Sequence, residues 1–176
     1  MESLMYMRHS ISLEYVKNEK WRKQMIYIFI VAGIFFLDYG IKRYIDKRKV
    51  LGEEKKILKG HIIVKKYYNE GAALNFLRKK PHLLKVIQTG LITATTGVFA
   101  FLLGKRGNHG VKMALSFLLG GGLSNLYDRY KKHHVVDYFS FETRWKKLRN
   151  IVFNISDFFI FFGALMLLIC ANNDKE

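Results

Sequence analysis

The stretch Ile151–Ala171, IVFNISDFFIFFGALMLLICA, decides how the chain is to be read. It holds 21 residues and one charge, Asp157. A helix needs about 20 apolar residues to cross the hydrocarbon core of a bilayer. A carboxylate without a partner is costly there. The stretch therefore implies a membrane span and a use for Asp157. A helix starting near Ile151 would carry Asp157 roughly 9 Å along its axis, at about 1.5 Å per residue. The plain alternative is an aspartate at a helix start, favoured by the helix dipole and solvated by headgroups. Asn154, three residues earlier, falls on the same helix face.

Working outward, three more segments have spanning character: Gln24–Ile41, Leu83–Gly104 and Val111–Tyr127. The last is short and contains Gly120, Gly121 and Gly122; small residues let helix backbones approach closely in a membrane. The expected fold is membrane all-α, with four transmembrane helices and a small β-rich cap. The cap would come from the polar segment 42–82, where β-branched and aromatic residues alternate from His61 to Tyr68. A second polar segment, 128–150, separates the last two helices. Residues 1–23 form a basic N-terminal extension, 24–171 the membrane domain and 172–176 a tail.

Composition agrees with a membrane setting. The 176 residues suffice for one domain. Half are hydrophobic, 15% are aromatic, and the formal net charge is +16. Long apolar runs alternate with basic stretches, which fits an anionic membrane surface better than nucleic acid. No zinc-type spacing, RNA-binding signature, internal repeat or low-complexity tract stands out, and neither a metal nor a cofactor is expected. The single cysteine, Cys170, allows no internal disulfide. Residues 1–23 are polar and basic, so the first apolar run is expected to stay as an anchor.

Four spans bring the unusual polar residues to one end of the bundle. Asp38 closes the first span, Asn125, Asp128 and Arg129 the third, and Asn154 and Asp157 open the fourth. Asp137, in HHVVDYFS, lies between apolar and aromatic neighbours, as at a membrane boundary. Two adjacent carboxylates do not ionise together easily, so one keeps a proton. The ionised one can take a proton from water while the neutral one donates to a carbonyl or leaving amine. Read alone, Asp137 is equally a surface loop residue, and Asp128 an ion-pair partner of Arg129 or a nearby lysine.

The runs FFLDYGIK, YYNEGAALNFL, GGGLSNLYDRYKKHHVVDYFSFE and FNISD, in this order and spacing, resemble the lipoprotein signal peptidases, or signal peptidase II. The resemblance extends from about Gln24 to Ala171 and implies a bacterial membrane aspartic endopeptidase. It implies Asp137 and Asp157 as the catalytic pair. Asn125 would help bind substrate backbone, Arg129 would support the acid pair and the substrate, Asn69 and Gly71 would shape the cleft, and Asn154 would orient the chain around Asp157. Asp38, Lys42, Gly121 and Asp128 would be supporting residues, with Asp38 and Lys42 stabilising the outer end of the first helix. The implied substrate is a diacylglyceryl-modified prolipoprotein cut just before its lipidated cysteine, with globomycin as the expected inhibitor.

Three departures from the family pattern stand out: Leu74 for Phe, Ser124 for Gly and Ser156 for Ala. They bear on the shape of the pocket. The site would face outward from the bacterial cell membrane, in a multi-pass monomer among membrane lipids with both termini in the cytoplasm. Charge disagrees: nine Lys and Arg lie on the terminal side and twenty-one on the loop side. The positive-inside rule would place the loops in the cytoplasm, whereas the motifs place them outside, and the motifs outweigh the count. The alternatives are a divergent paralogue with another membrane substrate, a proton-coupled transporter using the intramembrane acids, and a non-catalytic membrane scaffold.

Overall fold

A computed structural model of the chain describes residues 2–71 and 77–173. In chain order the elements are α1 (Glu2–Arg48), β1 (Glu54–Ile57), β2 (Ile62–Asn69), α2 (Pro81–Leu103), α3 (His109–Lys131), β3 (Val135–Phe141), the short α4 (Lys146–Arg149) and α5 (Ile155–Asn173). Among the described residues, three helices contain stretches long and apolar enough to cross a membrane: Gln24–Arg48, Pro81–Leu103 and Ile155–Asn172. Large side chains such as Phe29, Phe36, Leu91, Phe101 and Leu168 are exposed on them, as on a surface that meets lipid.

α3 is the fourth long helix, and most of its side chains between Lys112 and Arg129 are buried or half-buried against protein. It packs against α1, α2 and α5, and both apolar and polar residues along it are buried, from Lys112 to Arg129. Its three consecutive glycines explain the arrangement. Successive helical residues point about 100° apart, and each glycine meets a different neighbour. A Cβ on Gly120 would touch Ile34 and the Val31 carbonyl of α1. One on Gly121 would come within 2.6 Å of the Ser156 carbonyl of α5, and one on Gly122 would run into the end of the Ile92 side chain on α2. Gly163 lets α5 approach the Ala114 carbonyl lower down. The link from α2 to α3 is tight, with Gly107 and Asn108 in left-handed conformation.

The cap is a three-stranded antiparallel sheet in the order β1-β2-β3. The expected strand character of residues 61–68 is realised in β2. β3 was not expected: the segment carrying Asp137 reads as a boundary loop, yet it pairs Tyr67 with Asp137 and Asn69 with Val135. Its other edge is covered by Phe153, which exchanges backbone hydrogen bonds with Phe139 at 2.7 and 3.0 Å. Phe139, Phe141, Phe153 and Phe158 cluster at this junction.

The first span starts at Gln24, as expected, but the helix that carries it, α1, starts earlier at Glu2, because no proline or glycine precedes Gly33 to interrupt it. A second helix start differs from expectation. α5 begins at Ile155 rather than Ile151, because Phe153 is engaged by the sheet. Asp157 therefore sits in the first turn of α5, about 3 Å along the axis rather than about 9 Å. Leu74 lies outside the described residues, as do the last three residues of the tail.

The glycine packing generates a paired test. Gly121→Ala forces a methyl against backbone, so the chain in micelles should lose about 1–3 kcal/mol of stability. Gly90→Ala, with open space around it, should leave the thermal midpoint unchanged or raise it. Equal midpoints for the two variants would contradict the close approach of α3 and α5.

Candidate active site

The pairing of β3 with Phe153 places Asp137 beside the first turn of α5. Asp137 is 1% exposed. Its Oδ1 accepts from Asn154 Nδ2 at 2.7 Å and its Oδ2 from Asn69 Nδ2 at 2.9 Å. Asp157 is partly buried. Its Oδ1 accepts from Asn125 Nδ2 and its Oδ2 from the Asn154 backbone N–H, both at 3.0 Å. In return the Asp157 N–H donates to Asn154 Oδ1 at 3.1 Å. This reciprocal pair is a capping box, closing the start of α5. The helix-start reading of Asp157 thus describes its position, but protein amides hold the carboxylate where headgroup water was the alternative.

Each of the four carboxylate oxygens therefore receives one amide donor. Asn154 is common to both acids and also donates to Asn125 Oδ1 at 3.2 Å. Asn69 is fixed in turn, because its Oδ1 accepts the Gly71 N–H at 3.0 Å. Arg129 anchors the same loop, donating from Nη2 to the Gly71 carbonyl at 2.6 Å.

Beneath the acids lies a buried ionic layer. Lys42, 1% exposed, pairs with Asp38, 0% exposed, at 2.7 Å. The Lys42 ammonium also donates to Asn125 Oδ1 at 2.7 Å and to Ser124 Oγ at 3.2 Å, and lies 3.4 Å from Asp128. Asp38 accepts from Ser124 Oγ and Ser156 Oγ, each at 2.6 Å, and from Tyr138 OH at 3.1 Å. Two sequence expectations change here. Asp38 and Lys42 do more than stabilise one helix end: Lys42 orients the amide that holds Asp157. Ser124 and Ser156 point at Asp38, so they complete a carboxylate shell instead of shaping a pocket. Asp128 takes the ion-pair role, with Lys132 at 3.2 Å as well as Lys42, and accepts the Val136 N–H at 3.3 Å.

Tyr138 escaped the sequence reading. Its hydroxyl donates to Asp38 and accepts the Ile155 N–H at 2.9 Å, tying cap, α1 and α5 together. The available signal was its place in a run of β-branched and aromatic residues, since a buried tyrosine hydroxyl needs a partner. Burial, and then the Asp38 charge, push this hydroxyl above its ordinary range, so it stays a donor.

Burial raises Asp137 to about 7, and the charge of Asp157 pushes the same way, while the amides of Asn69 and Asn154 oppose. One carboxyl thus holds a proton near neutral pH beside a second carboxylate. Among the described residues no cluster has the composition of a metal site. The chemistry available to such a pair is proton exchange with water and with a carbonyl or amine.

A carboxylate pair at one end of an apolar helical bundle is the arrangement expected of the membrane peptidases that use paired acids. A family model described as signal peptidase (SPase) II matches residues 30–172. The lipoprotein signal peptidase of Clostridium tetani is 30% identical over 142 residues, covering 81% of this chain and 88% of that protein. That of Chromobacterium violaceum is 30% identical over 140 residues, covering 79% and 86%. A solved structure described as a bacterial membrane enzyme shares the fold, with a TM-score of 0.75 at 22% identity over 86% of this chain and 90% of that one. The chain belongs to the signal peptidase II family, and it is a membrane peptidase. The transport alternative is not favoured.

The raised Asp137 has a pH signature. Between its ordinary value of 3.8 and about 7 the folded chain binds a proton that the unfolded chain has released. Its contribution to stability therefore falls as pH rises through that window and is level above it. Asp137→Asn should flatten the slope of unfolding free energy between about pH 4 and 7; an unchanged slope would show that Asp137 titrates normally.

Proposed function

We propose that this chain removes signal peptides from prolipoproteins, hydrolysing the peptide bond just before a diacylglyceryl-modified cysteine. The observation that carries the reading is the shared amide: Asn154 contacts Asp137 through its side chain and Asp157 through its backbone. Each acid keeps a lone pair for water, substrate or a proton. The ionised carboxylate takes a proton from water as the oxygen attacks the scissile carbonyl. The protonated one donates to the carbonyl oxygen, and the tetrahedral intermediate collapses as the leaving amine gains a proton. Asp137 and Asp157 are the catalytic residues in this scheme. Asn69, Gly71, Asn125, Arg129 and Asn154 hold the substrate backbone or the acids, and the ionic layer under them is positioning machinery.

A groove of about 300 Å³ runs between α2, α3 and α5, lined by Leu91, Ile92, Leu118 and Ile160, and ends at Asn125. Its apolar walls suit a signal-peptide segment or the lipid of the modified cysteine. In this reading α3 is the fourth span, kept from lipid by the other three, and the chain works as a monomer in the bacterial cell membrane. The cap and acids face outward, where a lipidated cysteine emerges, and both termini are cytoplasmic. The basic loops then meet anionic outer-leaflet lipid.

Purified protein in micelles should shorten a diacylglyceryl-modified prolipoprotein by the mass of its signal peptide, with globomycin blocking the shift. Asp137→Asn and Asp157→Asn should each slow cleavage by at least about a hundredfold. No cleavage by folded wild type, or undiminished cleavage by either variant, would refute the assignment. Reporter fusions after Lys55 or Lys131 should report an extracytoplasmic position; a cytoplasmic signal would reverse the orientation.

A further inference from the structure

Gly122 differs from the two glycines that precede it. A Cβ on Gly120 or on Gly121 would press on backbone of a neighbouring helix, the Val31 and Ser156 carbonyls. A Cβ on Gly122 would meet a side chain alone, first the Cδ1 at the free end of Ile92, which a change of rotamer can turn aside. Backbone approach therefore accounts for glycine at 120 and 121 but not at 122.

Unlike the other two, Gly122 lines the groove between α2, α3 and α5. It stands on the face of α3 that also carries Leu118 and Asn125, four residues before it and three after. Along the helix axis it is about 4.5 Å from Asn125, whose Nδ2 donates to Asp157 at 3.0 Å. Ile92 belongs to the α2 wall of the same groove. The missing side chain thus leaves space at the end of the groove nearest the acids, and it leaves the Ile92 Cδ1 lying against α3.

The dimensions of the groove select its occupant. On α2 the lining runs from Gln88 to Thr95 and on α3 from Leu118 to Asn125, about 10 Å in each case. One leaflet of hydrocarbon is about 15 Å thick, so an acyl chain would overrun the groove. Extended peptide rises about 3.3 Å per residue, so about three residues fill it. Gln88 and Asn125 on the walls suit peptide amides, whereas an acyl chain has nothing to offer them.

We propose that Gly122 is a specificity-determining residue, opening the groove to a bulky apolar side chain of the signal peptide within three residues of the scissile bond. The inference rests on the peptidase reading above and names the part of the substrate that the groove takes. An alanine at 122 fills the space twice over, with its own methyl and with the Ile92 carbon that the methyl displaces.

Purified full chain in micelles would be given diacylglyceryl-modified prolipoproteins with alanine or leucine placed singly at each of the three residues before the cysteine. The readout is the ratio of kcat/KM for leucine over alanine. At one of the three positions Gly122→Ala should lower that ratio at least about tenfold. Adding Ile92→Val, which removes the displaced Cδ1, should return it to within about threefold of the wild-type ratio. Binding of the same substrate pairs to the Asp137→Asn chain, with and without Gly122→Ala, would be followed by native mass spectrometry and should shift in the same sense. A binding ratio that shifts while the wild-type chain cleaves nothing would uphold the groove assignment and refute the peptidase reading. Equal losses for alanine and leucine at every position, or a lowered ratio that Ile92→Val leaves unrescued, would make Gly122 a packing residue and overturn the proposal. So would a Gly122→Ala effect that follows acyl-chain length and not the side chain, which would give the groove to the lipid.

Discussion

The ion pair between Lys42 and Asp38 is the constraint on which the remaining structure depends. Both residues belong to α1, yet almost none of their hydrogen bonds stay there. Through Lys42 the pair reaches Ser124, Asn125 and Asp128 of α3. Through Asp38 it reaches Ser124 again, Ser156 of α5 and Tyr138 of β3. A buried pair repays its desolvation only when the remaining lone pairs and protons are also satisfied. Here Asp38 has four donors. Loss of one partner from such a pair costs about 3–5 kcal/mol, and in this chain it would unfasten four elements from one another.

The same pair explains why a polar helix can run through the middle of an apolar bundle. α3 carries Ser124, Asn125, Asp128 and Arg129 within two turns, and each has a partner on a neighbouring element. Glycine at 120, 121 and 122 brings those neighbours close enough to serve. Close packing and polar satisfaction are thus one arrangement seen from two sides. Helix backbones that touch leave no room for water or lipid, and the polar groups between them must then find each other.

Much of this was legible in the chain itself. The apolar runs announced the helices, and one carboxylate in IVFNISDFFIFFGALMLLICA announced the site. The alternation of the apolar spans placed Asn125, Asn154 and Asp157 at one end, beside the loop that carries Asp137, and the structure brings the four together. What was hidden depended on pairing across the chain. Nothing local shows that Phe153 covers the edge of β3, and that contact alone moves the start of α5 and the depth of Asp157. Ser124 and Ser156 looked like changes to a pocket because their target, Asp38, is 86 and 118 residues away. The polarity of α3 likewise lowers its apolar character until its neighbours are known.

The donors around the two acids are all neutral. Asp137 has two side-chain amides, and Asp157 has one side-chain and one backbone amide. Charged donors would have fixed the acids in place and also fixed which of them stays ionised. Amides give a position and bias the charge far less. With donor sets so nearly alike, a proton gains little hydrogen-bonding advantage on either acid, and the acids differ chiefly in burial. The pair is built close to symmetric in its donors, so the surrounding hydrogen bonds mark neither carboxyl as the one that must keep or give up the proton.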